Sequence, residues 1–187
     1  MGCPNISIDT IIITLVSAFW IMLPAYIPNS VAVATGGGIP IDFGKKFSDG
    51  NRIFGDGKTW RGFIVGSVAG ILVGLLLIFL QATYGLTFLP AMTIAGATLF
   101  AVGALLGDLA KSFFKRRLGK PSGSKWPVAD QYDLVAGAFV MAAIFDTGWF
   151  LSVMTLPIVI AIVIITPVLH RVTNMIGFAA GMKKVPW

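Results

Sequence analysis

The chain is poor in charge, cysteine and histidine, and it has no glutamate at all. Charged residues make up 12% of its 187 positions, about half the share of a soluble domain. The single cysteine, Cys3, excludes a disulfide scaffold. With one histidine, His170, it also excludes a Cys/His zinc cluster and a Cys–His catalytic couple. Disorder is excluded, because disordered chains are rich in charge and poor in apolar residues. All 8 acids are aspartates, so acidic surface decoration is scarce and each carboxylate needs its own explanation.

Apolar residues are what the chain has most of. They form 56% of it, more than one small soluble core could hide. They come in long uncharged runs, which favour helical spans over a barrel. The sequence therefore predicts an all-α integral membrane protein, one membrane-embedded domain over 1–187 with five transmembrane helices. The expected spans are about 10–27, 62–83, 86–106, 127–149 and 152–169. The connections about 36–61 and 107–126 are expected to be functional loops. No Lys or Arg precedes the first run, so a cleavable signal peptide is not expected. Ile6 stands where an N-myristoylation signal wants Ser or Thr.

Basic residues fall in three segments. Five (Lys45, Lys46, Arg52, Lys58, Arg61) lie between spans one and two. Six (Lys111, Lys115, Arg116, Arg117, Lys120, Lys125) lie between spans three and four. Three (Arg171, Lys183, Lys184) follow span five, which accounts for all 14. With five spans these segments share one side, which the positive-inside rule makes the cytoplasm. The N-terminus is then expected outside, and Asp9 and Asp146 with it.

The loops carry more than charge. In Gly55-Asp-Gly-Lys-Thr-Trp-Arg-Gly62, glycines alternate with Lys58, Thr59 and Arg61. Glycine lets backbone N–H groups approach phosphate oxygens, while Lys, Arg and Thr supply charge and a hydroxyl. The earlier glycine of a Walker site is missing, so a P-loop is rejected. A flexible polar loop with an interfacial Trp60 is the plainer reading. In the second segment, a helix continuing past Asp108 would put Asp108, Lys111, Ser112 and Lys115 on one face. Asp130 and Asp133, three apart, share another. Three carboxylates on two adjacent helix ends suit a hard cation such as magnesium, and not zinc. Ion pairing with nearby bases is the competing explanation, strongest for Asp108 alone. Asp42, Asp49 and Asp56 could each orient a base or a sugar hydroxyl and are not ranked. His170 reads as an interfacial residue.

Gly107-Asp108-Leu109, Ser112, Lys115-Arg116 and Asp130-Gln131-Tyr132-Asp133 resemble the signature of the membrane cytidylyltransferases that make CDP-activated lipids, such as the bacterial CDP-diacylglycerol synthases. Asp56-Gly-Lys-Thr-Trp-Arg-Gly62 resembles their Lys-Thr-Trp-Glu-Gly element, with Arg61 in place of the acid. The middle of the bacterial signature is missing, and Pro121–Pro127 stands there. Those departures, the Gly36-Gly-Gly-Ile-Pro-Ile-Asp-Phe-Gly44 run and the small size are similar to the archaeal CDP-archaeol synthases, over essentially the whole chain. The resemblance implies magnesium-dependent transfer of CMP from CTP to an isoprenoid diether glycerol phosphate, in the cell membrane with the site facing the cytoplasm. Its partners would be CTP, the ether-lipid phosphate and membrane lipids, with no nucleic acid and with a homodimer left open.

The chemistry fits these residues. A phosphomonoester is largely ionised at neutral pH and can attack the α-phosphate without a strong base, so positioning and charge neutralisation carry the catalysis. Asp108, Asp130 and Asp133 are the expected metal ligands and, with Lys111, the expected catalytic set. Lys58, Thr59, Arg61, Ser112, Lys115 and Arg116 are expected on phosphates, with Asn51 and Arg52 as further nucleotide candidates. The rival readings are a CTP-dependent polyprenol kinase and a small transporter. Against the transporter, spans two and three carry no central charge.

Overall fold

A computed structural model describes residues 7–121 and 124–181. Cys3, Ile6, Ser122, Lys183 and Lys184 of the sequence reading lie outside the described residues. The ordered elements among the described residues are helices: α1 Ile8–Thr35, α2 Trp60–Tyr84, α3 Ile94–Arg117, α4 Ala129–Phe145, α5 Thr147–Val153 and α6 Leu156–Ala179. Pairing of strand type is confined to two isolated bridges, Pro40 with Thr59 and Lys46 with Arg52.

The all-helical expectation holds, and four helices (α1, α2, α3 and α6) are long and apolar enough to cross a membrane. The expected span 127–149 is divided. α4 has 17 residues, a length of about 25 Å. At Asp146 the backbone leaves helical geometry (φ −149°, ψ 61°), and the Asp146 carboxylate accepts from the Trp149 N–H at 3.3 Å to cap α5.

Other boundaries move for local reasons. The third helix starts at Ile94, not 86. Gly85 ends α2 in the left-handed region (φ 61°), and Pro90 biases Leu89 away from helix. The Gln81 carboxamide then holds the turn, donating to the Leu86 and Leu89 carbonyls at 3.2 and 3.0 Å and accepting from the Met92 N–H at 3.4 Å. At its far end α3 continues to Arg117, so 107–117, expected in a loop, are helical. α1 runs through Pro24 and Pro28 to Thr35 instead of stopping at 27. α6 begins at Leu156, not 152, and carries His170 and Arg171 within it.

Small residues set the helix packing. Gly62, Gly66, Gly70 and Gly74 recur every fourth residue and form a buried stripe on α2. A Cβ at Gly66 would fall 2.7 Å from the Pro28 carbonyl oxygen, and one at Gly70 2.6 Å from that of Pro24. Pro28 has no N–H to offer the Pro24 carbonyl, so the bare glycine face lies against a helix whose own ladder is interrupted. Backbones meeting this closely are a usual solution inside membranes, where packing rather than water drives association. The same stripe also meets α3, with Gly74 against Ala97 and Gly70 against Ala101. Where these helices converge the core is tight: Phe100 is fully buried and lies edge-on to Trp149 at 5.1 Å. Much of the rest faces outward, including Leu72, Phe79, Ile164 and Met175, as lipid-facing helix surfaces do.

Candidate active site

The C-terminal ends of α1 and α3 and the N-terminal ends of α2 and α4 meet at one end of the bundle. The α3–α4 contact there is made by glycine. A Cβ at Gly107 would fall 2.0 Å from the Asp133 carbonyl oxygen, and one at Gly137 2.1 Å from that of Gly103. This approach is what brings the acids of α4 onto the lysines of α3. Lys111 Nζ lies 2.5 Å from Asp133 Oδ2, 3.1 Å from Asp108 Oδ1 and 3.5 Å from Asp130 Oδ1. Lys115 Nζ lies 2.6 Å from Asp130 Oδ1 and donates to the Ser124 carbonyl at 2.7 Å. Asp130 reaches back to accept from the Trp126 N–H at 2.6 Å. Of these three carboxylates Asp133 is the most enclosed, its side chain 4% exposed. Its Oδ2 has the Lys111 charge beside it but no well-aligned hydrogen-bond donor. Ser112 is buried on the same helix face.

The first loop delivers Lys58 to this cluster. Thr59 is buried and caps α2, accepting from the Gly62 N–H at 3.2 Å. The backbone of 39–41 pairs with Lys58 and Trp60 at 2.8 and 3.1 Å, and the Lys58 ammonium meets Asp108 directly. The loop is organised around Asp42, whose side chain is fully buried. Its carboxylate accepts from Arg52 at 2.6 Å and from the N–H groups of Phe54, Gly55 and Gly44 at 3.0, 3.0 and 3.1 Å. Burial alone would raise the Asp42 carboxyl, but the Arg52 guanidinium and these three backbone donors hold it well below the usual carboxylate range. Bonds to the Asp42 carboxylate, and to that of Asp56 at 2.5 Å, raise the Arg52 guanidinium.

Three arginines fasten the loop at its sides. Arg61 donates to the Thr35 carbonyl at 2.7 Å and to the Gly36 carbonyl, closing the end of α1. Arg116 donates to the Phe54 carbonyl at 3.3 Å and to that of Lys120. Arg117 pairs with Asp49 at 2.7 Å, donates to the Arg52 carbonyl at 2.7 Å, and lies over the Phe47 and Phe113 rings at 4.7 and 4.8 Å. Asn51 hydrogen-bonds Asp49 at 3.2 Å.

Of the residues singled out in the sequence, Asp108, Lys111, Lys115, Asp130, Asp133 and Lys58 converge. Arg52, Arg61, Arg116 and Asn51 are instead engaged in building the loop and its anchorage. Asp42 and Arg117 carry structural weight that no short spacing announces, since their charged partners Arg52 and Asp49 lie 10 or more residues away. The α2 glycine stripe, by contrast, was readable as a repeat of four. Between α3 and α4, beside Lys111 and Asp133, an apolar groove of about 510 Å³ is lined by Leu106, Phe114, Trp126, Tyr132, Val140 and Met141, among others. Among the described residues no three carboxylate, cysteine or histidine side chains form a ready-made metal cage; ammonium groups stand between the aspartates.

A paired lysine–aspartate centre thus lies at one end of an apolar helical bundle, with an apolar groove beside it. The sequence profile of the CarS-like CDP-archaeol synthases matches residues 10–187. The chain is 58% identical over 166 residues to the CDP-archaeol synthase of Methanoculleus marisnigri and 59% identical over 166 residues to that of Methanoregula boonei. Each match covers 89% of this chain and all of the relative. A solved intramembrane enzyme for archaeal membrane lipid biosynthesis superposes with a TM-score of 0.70 at 33% identity, covering 86% of this chain and 94% of that one. The chain belongs to the CDP-archaeol synthase family.

Proposed function

We propose that the protein transfers CMP from CTP to the phosphate of an isoprenoid diether glycerol phosphate, releasing pyrophosphate and leaving a CDP-activated ether lipid in the membrane. The observation that carries this reading is the convergence of Lys58, Lys111 and Lys115 with Asp108, Asp130 and Asp133 at the mouth of an apolar groove. Family membership supplies the substrate class.

The three lysines would exchange carboxylate partners for phosphate oxygens as the nucleotide enters, so that charge is offset at each stage. Lys58 and Thr59 sit at the start of α2, where the helix dipole favours an anion. Lys111 stands between the carboxylates and the groove, where it would hold the lipid phosphate against the α-phosphate. The lipid phosphate, already ionised, needs no proton removed, so the residues act by orientation and electrostatics. Arg52, Arg61, Arg116 and Arg117 would act through the loop, keeping Lys58 in place.

Magnesium fits this donor set. The acids are all hard oxygen donors, and Asp133 Oδ2 is buried without an aligned donor. Magnesium is commonly held by one or two carboxylates together with substrate phosphates, so a three-residue cage is not required. Asp133 and Asp108, with Asp130 directly or through water, would hold it, and its charge would offset the leaving pyrophosphate.

The membrane arrangement belongs to the same proposal: five crossings, α4 with α5 forming the fourth, the N-terminus outside and the site facing the cytoplasm. The segregation of basic residues supports this orientation. With Cys3 replaced by serine, cysteines placed at Thr83 or Ser152 should label from outside intact cells and one at Ser48 should not; outside labelling at Ser48 would overturn the orientation.

The deciding experiment is incubation of the purified protein with labelled CTP, magnesium and either a diether or a diacyl glycerol phosphate. A labelled lipid with release of pyrophosphate supports the reading. Release of CDP with an unlabelled phospholipid would make the protein a kinase, and no consumption of CTP would remove it from this class.

A further inference from the structure

A second, smaller cavity shares no lining residue with the groove and is bounded by α1, α2, α3 and the first loop. Its volume is about 40 Å³, which admits a hydrogen-bonding edge of a ligand rather than a whole one. Its walls are of two kinds. Gly57, Thr59 and the Lys58–Asp108 ion pair supply a polar part of the lining, while Ile41, Phe63, Leu105 and Leu109 supply an apolar part. Among these apolar residues the lining includes one carboxamide, that of Asn29 on α1.

Asn29 is unusual because its side chain makes no hydrogen bond among the described residues, and its Oδ1 is buried. Whichever way it is turned, the amide brings both an acceptor and donors to the cavity. Buried carboxamides are normally paired, so this one is matched to something that enters the cavity. A phosphate would suit only half of it: its oxygens accept, so they can meet the amide NH2 but not Oδ1. A nucleoside suits both features, because its base and ribose offer donor and acceptor together on a body that packs against Phe63 and aliphatic side chains.

We infer that Asn29 reads the nucleoside of the nucleotide substrate, its carboxamide binding an edge of the base or a ribose hydroxyl while Lys58 and Thr59 face the phosphates. This rests on the cytidylyltransferase reading and deepens it, placing the nucleoside between α1 and the first loop, away from the lipid groove.

The test is titration calorimetry on the full chain in detergent with magnesium, using CTP, UTP, 2′,3′-dideoxy-CTP and tripolyphosphate. Asn29→Ala is expected to weaken CTP about five- to tenfold, the loss of one or two neutral hydrogen bonds, and to leave tripolyphosphate unchanged. If wild type prefers CTP to UTP and the variant does not, the contact is to the base; if the preference over the dideoxy nucleotide vanishes instead, it is to the ribose. Unchanged CTP affinity, or equal losses for CTP and tripolyphosphate, would overturn the inference. Should Asn29→Ala not fold, Asn29→Ser takes its place, and failure of both to fold would make the residue structural and sink the idea. A wild-type protein that binds no CTP would instead refute the functional reading itself.

Discussion

The Tyr132 hydroxyl donates to the Val163 carbonyl at 2.8 Å, and that carbonyl is the one from which Pro167 withholds the usual helical N–H. One residue therefore ties α4 to α6 at the point where the α6 ladder is interrupted, directly beside Asp133. Tyr132→Phe should lower the thermal midpoint in detergent, by about 0.5–1.5 kcal/mol of stability, the range for such bonds inside membranes. Adding Pro167→Ala to that variant restores a donor to Val163 and should recover part of the loss. Strictly additive effects in this double-mutant cycle would show that the two residues do not share the carbonyl.

The glycine contact between α3 and α4 gives a second expectation. Gly107→Ala inserts a methyl 2.0 Å from the Asp133 carbonyl oxygen, whereas Gly148→Ala meets nothing within 4 Å. The first should cost about 1–3 kcal/mol through overpacking and depress turnover further by moving Asp133 away from Lys111. The second should leave both properties near wild type. Measuring midpoint and turnover of both variants checks this, and equal behaviour would mean that the helices do not approach this closely.

Asp133→Asn separates metal binding from ion pairing. Lys111 also meets Asp108 and Asp130, so its charge stays compensated and the ligand-free midpoint should change little. The added stability conferred by CTP with magnesium should disappear, because the amide removes the charge that a hard cation requires. A large fall in the ligand-free midpoint with the ligand-induced shift retained would make Asp133 structural.

Asp42 gives a pH expectation. Its folded-state pKa lies below the ordinary value of 3.8, so its contribution is complete well above 3.8 and declines as pH falls through that value toward the folded one. Hydrogen exchange of residues 42–58, followed from pH 7 down to pH 3, should accelerate relative to the helices at the acid end. Asp42→Asn should show faster exchange throughout, with the extra acid dependence removed.

The sequence made the central cluster legible because its members lie three or four residues apart on two helices, where periodicity places them on common faces. Asp108 with Lys111, and Asp130 with Asp133, needed no long-range information. The helix limits were harder. Leu86–Leu89 is as apolar as a span, but Gln81 folds it into a turn by three hydrogen bonds that no pattern encodes. The loop was hardest, because Asp42 joins residues 10 to 13 positions away and its acceptor role depends on backbone N–H groups, which every residue but proline has. Arg52 and Arg61 show the same limit: composition gives a guanidinium but not the carboxylate or carbonyl that it faces.

The pairing of three carboxylates with three ammonium groups leaves the idle centre nearly without net charge. Such a centre projects little field into solution, so it neither draws anions from a distance nor depends on long-range attraction to fill. Nucleotide affinity should then vary only weakly with added salt, unlike that of a pocket of unpaired lysines, whose pull is screened within about 10 Å at 0.1 M ionic strength. An enzyme built this way would keep a similar grip on its nucleotide in dilute and in salty solution alike.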